Sequence, residues 1–222
     1  TIVECMGRHA GWLTAAASLA AEKGDGPDLI YLPERDFSMD QFLDDVIAVY
    51  KRKGECLIAV SEGVHYADGT FVSEAKTSGT DGFGHAQLGG LAARLAGIVK
   101  AATGAKVRGI ELSLLQRCAA HCASGRDIEE SFNSGKVAVE SAIAGESGKM
   151  VGFRCDRKDG YVCHYDLFNL EDVANYEKKV PLDWITEDGM HVNENFERYA
   201  RPLIQAELTP IYINGVPRHI HL

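Results

Sequence analysis

A chain of 222 residues, 45% hydrophobic and 25% charged, has the makeup of a soluble globular protein long enough to bury a sizeable core. Its 32 acidic side chains outnumber 23 basic ones, and the net charge of −9 excludes a general binder of nucleic acid or of an anionic membrane surface. No apolar run approaches the roughly 20 residues that cross a bilayer, so no membrane partner is expected.

The chain opens directly in a predicted strand, Ile2–Cys5, which runs through the turn Met6-Gly7-Arg8 into an Ala- and Leu-rich helix predicted over residues 9–22. Gly24-Asp25-Gly26-Pro27 is a turn, and residues 28–32 form a second apolar strand. Ser38-Met-Asp-Gln41 has the form of a capping box, and Met39, Phe42, Val46 and Val49 continue it as an amphipathic helix to about Arg52, ended by Gly54. Residues 57–61 are a short apolar strand of the kind buried on both faces of a parallel sheet. Strand, helix, strand, helix, strand at this spacing predicts an α/β fold with right-handed crossovers.

A polar, Gly-rich loop is expected over residues 62–82, then a helix over 83–100 striped by Leu88, Leu91, Leu95 and Ile98. The glycines of 82–90 read as turn and helix-packing positions, not as a phosphate loop. Residues 107–112 form a strand, and 127–144 a helix capped by Asp127 with Glu130 three residues on. Residues 150–154 and 160–164 read as paired antiparallel strands, and from Leu167 the chain becomes irregular, with one short helix over 193–199. No repeat or composition shift marks a boundary, so residues 1–222 read as a single region.

Three segments carry candidate chemistry. At Met6-Gly7-Arg8 a strand hands over to a helix, which places bare N–H groups and a planar cation where an anion or phosphate can sit. Glu62 follows an apolar strand, and in an open α/β sheet the carboxyl ends of strands line the ligand crevice. Arg108 and Gln116-Arg117 bracket the strand beginning at Val107, with Gln116-Arg117 on the ligand side.

Other candidates carry less. The six cysteines, Cys5, Cys56, Cys118, Cys122, Cys155 and Cys163, read as reduced thiols of a cytoplasmic protein. Cys118 and Cys122 flank His121, but no second ligand pair follows, so they read as small buried thiols and not as a zinc site. His9, His65, His85 and His121 receive no catalytic role, and no Ser/His/Asp arrangement stands out.

Taken in order, Val3-Glu-Cys-Met-Gly-Arg-His-Ala-Gly-Trp-Leu-Thr14, Pro33-Glu34, Val60-Ser-Glu62 and Arg108 ahead of Gln116-Arg117 resemble the C-terminal half of a 6-phosphofructokinase. Segments 83–90, 111–121, 148–152 and 180–185 resemble its non-allosteric, pyrophosphate-dependent bacterial branch. The resemblance covers nearly the whole chain. It implies a phosphofructokinase-like three-layer sandwich with a mainly parallel sheet and an irregular, helical C-terminal portion.

It also implies that Met6, Gly7 and Arg8 hold fructose 6-phosphate, that Glu62 hydrogen-bonds the sugar, and that Leu114, Gln116 and Arg117 line the sugar-phosphate side. Arg108 matches an arginine that reaches the substrate of a neighbouring subunit, so a homodimer or homotetramer is expected. Leu114 stands where the family usually has His or Tyr, and Ser113 where it has Gly; Leu114 can pack against substrate but offers it no hydrogen bond.

The donor loops, the Mg²⁺-binding acid and the catalytic Asp of the family lie upstream of the segment matched by Met6. The expectation is therefore that this chain is the acceptor half of a longer glycolytic enzyme using fructose 6-phosphate, pyrophosphate and Mg²⁺. It should contain no catalytic residue and be inert alone. ATP as donor, and a non-catalytic sugar-phosphate-binding module on the same scaffold, are the alternatives.

Overall fold

The computed structural model describes residues 1–73 and 90–218. The expected loop beyond Ser73, the start of the helix predicted from residue 83 and the glycines of 82–89 lie outside the described residues. The chain divides into two compact units. The first comprises Thr1–Cys118 and Glu177–Arg198; the second comprises Ala119–Tyr176 and the residues from Tyr199 on. No local composition change announces that division.

The elements in chain order are β1 (Ile2–Cys5), α1 (Trp12–Ala15) continued as a 3₁₀ run (Ala16–Lys23), β2 (Leu29–Tyr31), α2 (Met39–Lys53), β3 (Ile58–Ser61), α3 (Leu91–Thr103), β4 (Gly109–Glu111) and α4 (Ser113–Cys118). Next come α5 (Gly125–Ile143), β5 (Lys149–Asp156), β6 (Val162–Asn169), α6 (Leu170–Val173), α7 (Glu194–Ala200) and a two-residue hairpin, β7 (Tyr212–Ile213) with β8 (Val216–Pro217).

In the first unit four parallel strands lie in the order β2-β3-β1-β4, with Ile2 opposite Ile58 and Gly109. Ile2, Leu29, Ile58 and Val60 turn to one face and pack with Phe42, Val46 and Val49 of α2 and Leu91, Leu95 and Val99 of α3. The other face carries α1, which packs on β1, β2 and β3 with Thr14 and Ala15 buried. Helices on both faces make three layers, the α/β sandwich expected of alternating strands and helices. The cap of α2 is as predicted: the Ser38 hydroxyl accepts the Gln41 N–H at 3.4 Å, and Gly54 ends the helix at φ 78°.

Several elements differ from expectation. The first helix has one short α turn and then tightens into 3₁₀, and His9 lies in the preceding turn. Gly11 packs there against Leu32, Pro33 and Glu34 so closely that a Cβ would sit 2.8–2.9 Å from them. In the second unit Ser124, not Asp127, caps α5, accepting the Asp127 N–H at 3.0 Å. The antiparallel pair is longer than predicted: β5 and β6 are in register from Lys149↔Asn169 to Asp156↔Val162, so the chain past Leu167 is still strand. Cys118 and Cys122 are exposed, not buried. Among the described residues no helix is long and apolar enough to cross a membrane.

Candidate functional site

Parallel strands deliver their C-terminal ends to one edge of the sheet, and the three adjacent strands β3, β1 and β4 bring the sequence candidates there. Each strand end is fixed by the backbone of its neighbour. The Glu62 N–H bonds the Cys5 carbonyl at 2.9 Å, and the Leu112 N–H bonds the Glu4 carbonyl at 3.1 Å. A cleft of about 850 Å³ opens above them, lined by Met6, Gly7, Arg8, Leu13, Glu62, Ser113, Leu114, Gln116 and Arg117. That is within the size range of small-molecule sites.

Side chains from the two outer strand ends hold the central turn. Glu62 Oε1 accepts the N–H groups of Gly7 at 3.1 Å and Arg8 at 3.2 Å. Gln116 Oε1 accepts the Met6 N–H at 3.0 Å, and Arg117 Nε donates to Met6 Sδ at 3.5 Å. The turn is tight. A Cβ on Gly7 would meet the Ala10 carbonyl oxygen at 2.6 Å, and one on Gly63 would lie 1.4 Å from the Arg8 carbonyl oxygen. Arg8 itself takes φ 46°, a conformation that non-glycine residues adopt only when their surroundings impose it. One carboxylate and two guanidiniums thus face a common cleft, a combination suited to sugar hydroxyls and to a doubly charged phosphate.

Gln116 and Arg117 sit on the short helix α4, which follows β4 after Leu112. Leu114, on the same helix, lines the cleft and is 68% exposed. Arg108 is not brought to the cleft. It precedes β4, at the strand end remote from Gln116, where its carbonyl accepts the Ile2 N–H at 2.8 Å, and the residue is exposed.

Two supporting carboxylates went unassigned in the sequence. Glu34 Oε1 accepts the Gly11 N–H at 2.8 Å and the Val180 N–H at 2.9 Å, so it ties the segment after the turn to the returning chain. The motif Pro33-Glu34 at the end of an apolar strand was the available signal. Glu4 is 2% exposed, and its Oε2 accepts the Ala92 N–H at 2.8 Å in the first turn of α3. Burial pushes its pKa up, the Ala92 N–H opposes this, and Glu111 and Glu62 add to the rise. Among the described residues no three His, Cys, Asp or Glu side chains are grouped so as to hold a metal ion.

A parallel α/β sheet with anion-receptive strand ends places the chain in a broad class. The family model for phosphofructokinase matches residues 1–141, and the chain belongs to the phosphofructokinase family. It is 42% identical over 98% of its length to a pyrophosphate–fructose 6-phosphate 1-phosphotransferase of Halomonas elongata. Two solved pyrophosphate-dependent phosphofructokinases superpose on it. The structure from Marinobacter aquaeolei has a TM-score of 0.82 at 36% identity, covering 98% of this chain and 50% of its own. That from Nitrosospira multiformis has a TM-score of 0.83 at 34% identity, covering 99% of this chain and 51% of its own. The chain spans about half the length of these relatives, 52% of the Halomonas protein.

Proposed function

We propose that this chain is the sugar-phosphate side of a pyrophosphate-dependent phosphofructokinase, which transfers a phosphoryl group from pyrophosphate to the 1-hydroxyl of fructose 6-phosphate in the cytoplasm. The observation that carries the reading is the Glu62 bridge. One carboxylate oxygen fastens the backbone of Gly7 and Arg8 and so fixes a turn between two cleft-facing arginines. In this reading Arg8 and Arg117 take the phosphate, Glu62 takes a sugar hydroxyl, and Leu114 packs against the substrate.

Phosphoryl transfer needs donor, metal and acceptor in line. The described residues of this chain offer the acceptor side, so the catalytic Asp and the groups that bind Mg²⁺ and pyrophosphate are assigned to residues outside it. Arg108, exposed at the far strand end, is assigned to the site of a neighbouring subunit in a homodimer or homotetramer.

Calorimetric titration of the chain with fructose 6-phosphate tests the reading. Arg8→Ala and Arg117→Ala should each weaken binding by about 1.5–3 kcal/mol, the range for hydrogen bonds to charged groups. Unchanged affinity in both variants would sink it. A coupled assay of this chain alone should show no phosphoryl transfer from pyrophosphate or ATP.

A further inference from the structure

The second unit contains a polar cluster that the sugar-phosphate reading leaves unused. On the antiparallel pair β5 and β6, Cys155 and Cys163 are register partners. Register partners point to the same face with Cα atoms about 4.5–5.5 Å apart, inside the separation that a disulfide spans. The register therefore sets the two thiols side by side on one face of the pair. Both are free and partly buried.

Beside them is an ordered proton path. The Tyr161 hydroxyl lies 3.0 Å from Glu130 Oε2 and 3.4 Å from Cys155 Sγ. A phenol has one proton. With that proton donated to Glu130, the Tyr161 oxygen accepts from the Cys155 S–H. Glu130 is 8% exposed, and its Oε1 has no partner among the described residues. Arg126 and Arg157 place their guanidiniums 5.1 and 5.2 Å from the centre of the Tyr161 ring. A buried carboxylate with a spare oxygen, reached from a thiol through one phenol, is costly unless it receives something.

We propose that Cys155 and Cys163 are an oxidation site for hydrogen peroxide, with Tyr161 and Glu130 taking up the Cys155 proton. Cys155 passes its proton to the Tyr161 oxygen as the Tyr161 proton moves to Glu130. The Cys155 thiolate attacks one peroxide oxygen and the O–O bond breaks. The departing hydroxide recovers the proton and leaves as water, giving the sulfenic acid. Cys163 then displaces the hydroxyl from Cys155: the S–S bond forms, and the Cys163 proton leaves with the hydroxyl as a second water. Both sulfurs are oxidised by one electron each, and the two peroxide oxygens are reduced.

The roles are not interchangeable. Burial, with Glu130 and Cys155 adding to it, pushes the Cys163 thiol up to about 11, so at neutral pH it supplies a proton and resolves rather than initiates. Burial and the contacts with Cys155 and Glu130 hold the Tyr161 hydroxyl far above the usual phenol range, so it relays a proton without ionising.

The test uses the reduced full 222-residue chain. It is exposed to hydrogen peroxide, the remaining thiols are alkylated and the peptides are mapped by mass. The expected product is a Cys155–Cys163 cross-link with the loss of two hydrogens, formed ahead of any change at the exposed Cys118 and Cys122. Glu130→Gln and Tyr161→Phe should each slow the cross-link by about tenfold, with peroxide oxidation of Cys118 as the internal control. Free thiols at both positions once Cys118 and Cys122 are oxidised would overturn the site. Parent-like cross-linking rates in both variants would overturn the relay.

Discussion

The two compact units spend their apolar side chains differently. In the first, a parallel sheet between helix layers encloses its own core, and Phe42, Ile2, Leu91 and Val60 are all solvent-free. Among the described residues every buried hydrophobic side chain but Ala200 belongs to this unit. In the second unit the residue at the heart of the packing is Glu130, a carboxylate, while Ile128, Phe132, Val139 and Ile143 run exposed along α5. The first unit is therefore held by apolar burial, which scales with area removed from water. The second is held by its eight-pair strand register and by polar and cation–π contacts around Tyr161. The cleft lies wholly in the first unit, so its geometry inherits the stiffness of a packed core.

The sharpest way to break this contrast is to open the first core. Phe42→Ala removes a ring that is 0% exposed and packs on Tyr31 and Phe37 at centroid distances of 5.3 and 5.4 Å. Denaturant unfolding should show a loss of about 3–5 kcal/mol. A smaller effect follows from Gly63→Ala, whose Cβ would overlap the Arg8 carbonyl. The backbone must shift, at a cost of about 1–3 kcal/mol, and fructose 6-phosphate titration should weaken along with stability. Binding retained at parental strength in Gly63→Ala would separate the turn from the site.

The sequence carried the ends of β1 and β3 well, because Met6 to Arg8 and Glu62 stand next to short, largely buried strands, whereas β4 beside Gln116 and Arg117 is exposed along its length. It carried the α2 cap for a similar reason: Ser38 and Gln41 act over three residues. What it hid depends on long-range contacts. Phe196 stacks on Trp12 at 6.0 Å and is 1% exposed. Trp184 meets Trp12 edge-on, and both Trp184 and Tyr199 are half-buried. Lys178 and Val180 return to Trp12 and Glu34 through hydrogen bonds spanning 166 and 146 residues, and no local pattern encodes such a return. Glu4 was illegible as a buried group because a carboxylate in a strand reads as solvent-facing until the helix that caps it is placed.

Glu4 offers a subtler test within the first unit. Its folded pKa stands above the unfolded value, so its stabilising contribution is complete below the unfolded pKa, near 4.5, and is lost as pH rises through the folded one. Glu4→Gln keeps an oxygen for the Ala92 N–H and cannot ionise. The difference in melting temperature should therefore move in favour of the variant as pH is raised from below 4.5. A difference that stays flat with pH would mean that burial does not disfavour the charged form.

The smallest expected effect lies at the opposite pole of the comparison. Phe132 is 72% exposed on α5, against none for Phe42. If the two faces differ as described, Phe132→Ser should change unfolding free energy by less than about 0.5 kcal/mol, the usual range for surface substitutions. The same ring type then costs several kcal/mol in one unit and nearly nothing in the other. Sedimentation of parent and variant sharpens the result, because Ile128, Phe132, Val139 and Ile143 are all exposed along α5 and a contiguous apolar patch is a common site of association. A loss above about 2 kcal/mol, together with a fall in sedimenting mass, would show that the face is covered in solution by a second copy. The contrast between the units would then belong to the isolated chain and not to the assembly.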